Sequence, residues 1–209
     1  MYHLYAFNTQ NSFKIVYILE EMKADYDLTF VNLFKGEHKS EDFLKLNPFG
    51  KVPTLQVGGD SIFESGAICR FVAHDSHSPL YPQDALQRAK IDQWMDFFSI
   101  HLGKWLSTLF FENIIKPKAD FGPRNDAACE EAYKFIAEQM AVLDNLLAKN
   151  SYLTGEQISI ADLFAFAYVE QVETYEFSWE GFPHVKAWYD KMNSRDSIKS
   201  GREKLNKRG

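Results

Sequence analysis

Residues 47–63 read Asn47-Pro48-Phe49-Gly50-Lys51-Val52-Pro53-Thr54-Leu55-Gln56-Val57-Gly58-Gly59-Asp60-Ser61-Ile62-Phe63, and Glu64-Ser65-Gly66-Ala67-Ile68 follow them directly. Residues 54–57 and 60–63 are two short alternating runs joined by Gly58-Gly59. A two-residue Gly-Gly connection indicates a β-hairpin, because both glycines tolerate the positive φ of a tight turn. The stretch therefore predicts two paired strands that lead straight into a helix.

Both ends of this hairpin offer unpaired backbone groups. Pro53 stands at the mouth of the first strand, where a missing N–H is tolerated, and its bond to Val52 is a candidate cis peptide bond. The backbone of Val52 is then free to pair with a ligand. Glu64 and Ser65 open the helix, whose unpaired amides and positive dipole end attract a carboxylate. A free backbone edge, a carboxylate-binding helix start and an acid are suited to binding a small zwitterionic peptide. The alternative is that Pro53 is only a turn proline and that Glu64 and Ser65 only cap the helix.

The composition indicates a folded protein without a nucleic-acid surface. The chain has 209 residues, 45% of them hydrophobic, which is enough for one large domain or two small ones. Its net charge of −6 argues against a basic binding face, and we expect the basic run from Lys199 to Arg208 to be a solvated tail. No stretch approaches the roughly 18 apolar residues of a membrane helix, and Met1-Tyr2-His3 begins a strand, so we expect a cytoplasmic protein.

The cysteines and histidines do not suggest chemistry of their own. Cys69 and Cys129 each fall inside an apolar helical pattern, which indicates buried packing in a reducing compartment rather than a nucleophile. The six histidines show no metal-ligand spacing such as His-Glu-x-x-His, so we expect no metal.

The first part of the chain alternates strands and helices. Periodicity predicts strands at 2–7 and 26–33, helices at 13–23, 41–46 and 65–74, and the hairpin before the last of these helices. The helical crossover makes the first two strands parallel. The order βαβαββα over residues 1–76 predicts a thioredoxin-like α/β domain, with a four-stranded mixed sheet and helices on both faces.

The second part is predicted to be all-α. Residues 77–82 contain two prolines and break every periodicity, which marks a linker. Beyond it the helical segments are 83–111, 126–149, 160–171, 183–192 and 196–203. Ser159 and Asp162 form a capping box at the third segment, with Ile158 and Leu163 as its hydrophobic staple. Residues 83–209 are therefore expected to form a helical bundle.

Two motifs carry a resemblance to a known family. Asn-Pro-Phe-Gly-Lys-Val-Pro, the hairpin and Glu-Ser-Gly-Ala-Ile resemble the glutathione-binding half of cytosolic glutathione transferases. Tyr152-Leu153-Thr154-Gly155, followed by Ser-Ile-Ala-Asp-Leu, is similar to the family's buried capping motif, so the likeness spans nearly the whole chain. The resemblance implies a homodimeric enzyme that activates the glutathione thiolate for attack on an apolar electrophile, or on a disulfide or peroxide. The alternative is a non-catalytic binding or carrier module, against which the Glu64-Ser65 pair argues.

The resemblance assigns activation of sulfur to the loop of residues 8–12. A thiol is mostly protonated at neutral pH, so a donor and a helix N-terminus must favour the thiolate. The tyrosine of tyrosine-type members aligns near Phe7, which has no donor, whereas Thr9 aligns with the serine of serine-type classes. The pattern Thr-x-Asn-x-x-Lys resembles nu-class bacterial enzymes and their fungal relatives, with Asn11 as a second polar group. Ser12, which stands where a glycine is common, is the competing hydroxyl, and both hydroxyls can also be helix caps.

The remaining contacts are carried over from the family by position. The backbone of Val52, beside Pro53, is expected to pair with the cysteinyl backbone of glutathione, and Glu64 and Ser65 to hold its γ-glutamyl end. The candidates for the glycine carboxylate are His38, Lys39 and Lys51.

Two further family features fall on aromatic residues. Phe49 matches an aromatic that inserts into the partner subunit in several classes, although it can equally pack on its own domain. The second substrate is expected between the Thr9 loop and the long helix after the linker, against Phe97, His101 and Trp105. Most aromatics of that helix are expected in the core instead.

Overall fold

A computed structural model of the protein describes residues 1–206. They form two compact units, one made of Met1–Gln83 with the chain from Asn193 onward, and the other of Asp84–Met192. The first boundary lies close to the predicted linker. The structure differs from the prediction at the far end, because the last helix groups with the first unit and not with residues 83–192.

The first unit contains a four-stranded mixed sheet. Its strands are β1 (Tyr2–Ala6), β2 (Tyr26–Phe30), β3 (Thr54–Val57) and β4 (Asp60–Phe63), in the order β2-β1-β3-β4. β1 runs parallel to β2 and antiparallel to β3, and the predicted hairpin pairs Val57 with Asp60 across its turn. Alternate residues of β1 are buried, as a strand with one covered face requires.

Three helices alternate with these strands along the chain, in the predicted order. They are α1 (Gln10–Glu21), α2 (Glu41–Leu46), which a short 3-10 turn at Glu37–Lys39 precedes, and α3 (Ser65–Asp75). The order βαβαββα is thus confirmed. α1 begins at Gln10 and not at the predicted Phe13, because Thr9 caps it with its side chain.

The second unit is helical. Its elements are α4 (Ala85–Phe97), α5 (Gly103–Phe110), α6 (Lys116–Lys118), α7 (Asp126–Leu147), α8 (Ile160–Val169) and α9 (Pro183–Asn193), with a 3-10 turn at Glu170–Thr174. The single helix predicted for 83–111 is interrupted by a π-helical turn at Phe98–Leu102, and a second π-helical turn at Phe111–Ile115 follows α5. Gly103 comes directly after the first of these turns, and a Cβ there would lie 2.5 Å from the Tyr168 ring. α5 therefore approaches α8 as closely as a residue without a side chain permits. No helix within residues 1–206 is long and apolar enough to cross a membrane.

The capping box is confirmed at the start of α8. One carboxylate oxygen of Asp162 accepts hydrogen bonds from the Ser159 amide and hydroxyl at 3.0 Å. The other accepts from the Leu153 amide at 2.9 Å and the Trp188 indole at 3.1 Å. The motif ties a loop and two helices together, so its role is structural.

The basic C-terminal run is not a solvated tail in the described part of the chain. It belongs to α10 (Asp196–Asn206), which packs on α1 in the first unit. Arg195 forms an ion pair with Glu21, and Lys204 Nζ lies 2.5 Å from Glu20. The prediction is therefore wrong for this helix, while Lys207 and Arg208 lie outside the described residues.

Candidate active site in the first unit

Thr9 lies between β1 and α1 as the N-cap of the helix. Its backbone is extended, and its Oγ1 accepts a hydrogen bond from the Ser12 amide at 3.3 Å. The side chain of Thr9 is half-buried, whereas that of Ser12 is fully buried. Of the two competing hydroxyls, Thr9 is therefore the one that reaches the surface at the helix N-terminus.

Ser12 lies behind Thr9 and bonds to it. The two hydroxyl oxygens are 3.0 Å apart, and Ser12 Oγ also accepts from the Phe7 amide at 3.4 Å. When the Ser12 proton is donated to Thr9 Oγ1, the Thr9 proton is left to point at a ligand. The loop can thus present one O–H donor beside the positive end of α1.

Asn11 is exposed on the first turn of α1, and Lys14 lies beneath it. Lys14 Nζ donates to Asn11 Oδ1 at 2.7 Å, although the Lys14 side chain has no exposed surface. Burial lowers the pKa of Lys14 to about 7, and the nearby Cys69 and Glu64 partly oppose that shift. In the sequence analysis, Lys14 was only the last residue of the Thr-x-Asn-x-x-Lys pattern and was given no role. The sequence signal is a lysine inside the otherwise apolar run of residues 13–19.

The start of α3 brings Glu64 and Ser65 together. Glu64 is the N-cap with φ of 70°, a left-handed conformation that residues other than glycine adopt only under constraint. Its side chain makes no capping hydrogen bond and is exposed, while Ser65 begins the helix half-buried. A carboxylate and a helix N-terminus therefore stand side by side, as the sequence predicted.

The bond between Val52 and Pro53 is cis, as predicted. Asn47 braces this segment, since its buried side-chain amide donates to the Lys51 carbonyl at 2.8 Å. Thr54 Oγ1 donates to the same carbonyl at 3.1 Å. These contacts hold Val52 at the mouth of β3.

The candidates for the glycine carboxylate occupy two adjacent segments. His38 and Lys39 lie in the 3-10 turn before α2, and Lys51 lies just before Val52. A Cβ at Gly50 would come within 2.9 Å of the His38 carbonyl, so the two segments touch. Lys39 and Lys51 are exposed. His38 Nδ1 is buried and has no hydrogen-bond partner within residues 1–206, which leaves a polar atom for a ligand or water.

The three residues assigned to the second substrate all lie in the second unit. The Phe97 and His101 rings are 5.8 Å apart, and His101 is exposed on the π-helical turn. Trp105 instead stacks on Phe135 of α7 at 4.6 Å. The structure thus pairs Phe97 with His101 and gives Trp105 a packing role between helices.

Two observations bear on other chemistry. Burial raises the pKa of the Cys69 thiol to about 12, so this cysteine stays protonated and is no nucleophile. Both cysteines are free and buried. Within residues 1–206 no three His, Cys, Asp or Glu side chains are grouped as metal ligands.

Family models match both units of the chain. The model described as glutathione S-transferase, N-terminal domain, matches residues 1–74, and the one described as glutathione S-transferase, C-terminal domain, matches residues 101–196. The thioredoxin-like first unit and the helical second unit are the two domains of this class of protein. The chain belongs to the glutathione S-transferase family.

Individual relatives agree with the family models. The chain is 33% identical over 190 residues to a probable glutathione S-transferase, GSTF2, of Oryza sativa subsp. japonica, covering 90% of this chain and 88% of the relative. It is 34% identical over 196 residues to glutathione S-transferase 3 of Zea mays, covering 90% and 86%. The prediction of a glutathione-dependent transferase is confirmed at the level of the family.

Solved structures show the same architecture. Glutathione S-transferase-I bound with lactoylglutathione matches with a TM-score of 0.88 at 28% identity, covering 96% of this chain and 97% of that one. The theta class enzyme from Xanthomonas axonopodis pv. citri with glutathione bound matches with a TM-score of 0.86 at 28% identity, covering 96% of each.

Proposed function

We propose that this glutathione transferase holds glutathione against the hairpin and the start of α3, and activates its thiol at Thr9. The observation that carries the proposal is Glu64, held at a positive φ directly before the free amides of α3. A constrained backbone of this kind is typical of ligand sites, because the surrounding fold must maintain it.

The charges of the first unit match those of the tripeptide. The Glu64 carboxylate pairs with the ammonium of the γ-glutamyl end, and the Ser65 hydroxyl with the α3 amides binds its carboxylate. The Val52 backbone, turned by Pro53, pairs with the cysteinyl residue as an added strand would. His38, Lys39 and Lys51 receive the glycine carboxylate, and the close contact between the two segments that carry them supports this assignment.

The chemical step follows from the loop at α1. The Thr9 hydroxyl donates to the sulfur, with Ser12 behind it and Asn11 as a second donor, so the thiolate is favoured over the thiol. The thiolate then attacks the electrophilic atom of the second substrate, forming a thioether as the leaving group departs with the bonding electrons. Glutathione itself supplies the sulfur, which agrees with the protonated, buried Cys69.

The second substrate we propose is an apolar electrophile, because Phe97 and His101 present adjacent rings. The Trp105 ring is less available to a substrate, because it stacks on Phe135. Attack on a disulfide or peroxide uses the same thiolate, and the Thr9 and Asn11 pattern of nu-class-like members supports it. Two free, buried cysteines support a cytoplasmic location.

Isothermal calorimetry of glutathione binding tests the site. We expect Glu64→Gln and Ser65→Ala each to weaken affinity by about 10- to 100-fold, because each removes a charge-assisted contact of about 1.5–3 kcal/mol. Glu41→Gln is the matched control, since Glu41 is also an exposed acid at a helix N-terminus. Unchanged affinity in both site variants would contradict the proposal, and tight binding without turnover of any electrophile, disulfide or peroxide would favour the carrier module.

A further inference from the structure

Lys14 is a buried basic residue that the proposed mechanism does not use. Its side chain has 0% relative exposure, and its neighbours Ile15 and Val16 on α1 are equally buried. Lysine is almost never fully buried, because removing its ammonium from water is costly unless a specific contact compensates. Such a cost indicates that the position serves something other than packing.

The contacts of Lys14 point at the active-site loop and at α3. Its Nζ donates to Asn11 Oδ1 at 2.7 Å, one turn earlier on α1. α1 packs against α3, and the titratable groups that act on Lys14 from α3 are Cys69 and Glu64. Cys69 is protonated, so Glu64 is the one anion among these groups. Lys14 thus lies between the polar loop of α1 and the charged start of α3.

The hydrogen bond fixes which way the Asn11 amide faces. The ammonium of Lys14 carries only donors, so the atom of Asn11 that meets it is the oxygen and not the nitrogen. The requirement belongs to the ammonium form, which has no lone pair to accept a hydrogen bond from the Asn11 NH2 group. The Asn11 side chain is exposed, so its NH2 group is turned away from the buried amine, at a position two residues after Thr9.

We propose that Lys14 is a positioning residue that holds the Asn11 oxygen so that the Asn11 NH2 faces the sulfur of bound glutathione. Without Lys14 the amide can rotate and offer the sulfur its oxygen, which repels a thiolate. The inference rests on the proposed function for the place of the sulfur, but the orientation of Asn11 rests on the Lys14 contact alone.

A double-mutant cycle tests whether Lys14 acts through Asn11. The variants are Lys14→Met, Asn11→Ala and the double variant, with Lys14→Arg as the donor-preserving replacement and Lys23→Met as an exposed control near the end of α1. The readout is the pKa of the bound glutathione thiol, titrated by its ultraviolet thiolate absorbance. We expect Lys14→Met and Asn11→Ala each to raise that pKa by about one pH unit, about a tenfold loss of thiolate below it. We expect the double variant to equal Asn11→Ala, and Lys14→Arg to restore most of the difference.

The outcomes separate this inference from its alternatives. An unchanged thiol pKa in Lys14→Met, or additive effects in the double variant, would overturn it. A merely structural role would lower the denaturation midpoint of Lys14→Met and leave the thiol pKa unchanged, so the thiol pKa distinguishes the two roles. If the wild type binds no glutathione, the proposed function fails. The inference is then decided by nuclear magnetic resonance of the Asn11 side-chain amide, which should lose its fixed orientation in Lys14→Met.

Discussion

In the proposed mechanism, Thr9 combines a structural and a chemical role in one hydroxyl group. As N-cap it accepts from the Ser12 amide, and as a donor it has one proton to give. The Ser12 hydroxyl is placed to donate a hydrogen bond to Thr9 Oγ1, while Ser12 Oγ accepts one from the Phe7 amide. Loss of Ser12 should therefore weaken the Thr9 donor slightly, whereas loss of Thr9 removes it.

At the level of single residues, the sequence named the groups but not their arrangement. Thr9 and Ser12 were both candidates, because periodicity alone placed the helix start at Phe13 and left both hydroxyls in the loop. Their different burial follows from a helix that begins at Gln10. The left-handed backbone of Glu64 and the contact between Lys14 and Asn11 depend on tertiary packing, which no local pattern carries.

Among the elements, α1 and α10 are joined by several polar contacts. Glu21 forms an ion pair with Arg195 and accepts from Ser197 Oγ at 2.5 Å, and Glu20 accepts from Ser200 Oγ at 2.5 Å. Burial alone would raise the pKa of both glutamates, but hydrogen bonds from α10, Arg195 and Tyr26 outweigh it and hold each pKa below its ordinary value.

The contact between α1 and α10 predicts an acid-sensitive stability. A carboxyl group whose pKa is lowered in the folded state stabilises the fold above its unfolded value, near 4.5, and loses that contribution as the pH falls through the folded pKa. We expect Glu21→Gln to lower the free energy of unfolding by about 2 kcal/mol at neutral pH, measured by urea denaturation. The difference from wild type should shrink towards zero in acid.

A matched control uses the exposed pair of Asp42 and Lys45. Asp42→Asn should change stability much less than Glu21→Gln at neutral pH, because an exposed ion pair contributes little. A Glu21→Gln difference that persists unchanged into acid would contradict the assignment of the effect to the Glu21 carboxylate.

The elements that were predicted to the residue have local signals. The Gly-Gly hairpin, α2 and the helix that begins at the Ser159 capping box each have turn or cap residues at their ends. The π-helical turn at Phe98–Leu102 adds one residue to a turn without disturbing the apolar pattern, so the sequence predicted one continuous helix over residues 83–111. The packing of α10 was missed because Arg195 lies 174 residues from its partner Glu21.

For the whole molecule, the remaining prediction is a homodimer. Phe49 is 67% exposed and touches Phe63 edge-on at 5.5 Å, so most of its ring is available to a partner subunit. Buried aromatic anchors dominate the affinity of many interfaces. We expect a dimer at micromolar concentration in analytical ultracentrifugation.

Two variants separate the dimer from its anchor. Phe49→Ala should weaken association at least tenfold, whereas Phe34→Ala, which removes a ring that is 92% exposed in the same unit, should not. A wild-type monomer at micromolar concentration would refute the dimer. A dimer of unchanged affinity in Phe49→Ala would remove only the anchor role.

The central claim is that the Thr9 hydroxyl stabilises the thiolate of bound glutathione. The measurement is the pH titration of ultraviolet thiolate absorbance in the glutathione complexes of wild type, Thr9→Ala, Ser12→Ala and Ser40→Ala. Ser40 is the control because it caps α2 through the same hydroxyl-to-amide bond, 3.3 Å long, so its loss costs about 1 kcal/mol of stability without touching the loop. We predict that Thr9→Ala raises the thiol pKa by one pH unit or more, Ser12→Ala raises it by less, and Ser40→Ala leaves it unchanged. A larger shift in Ser12→Ala than in Thr9→Ala would assign the donor to Ser12, and no shift in either would leave activation to the α1 amides and contradict the claim.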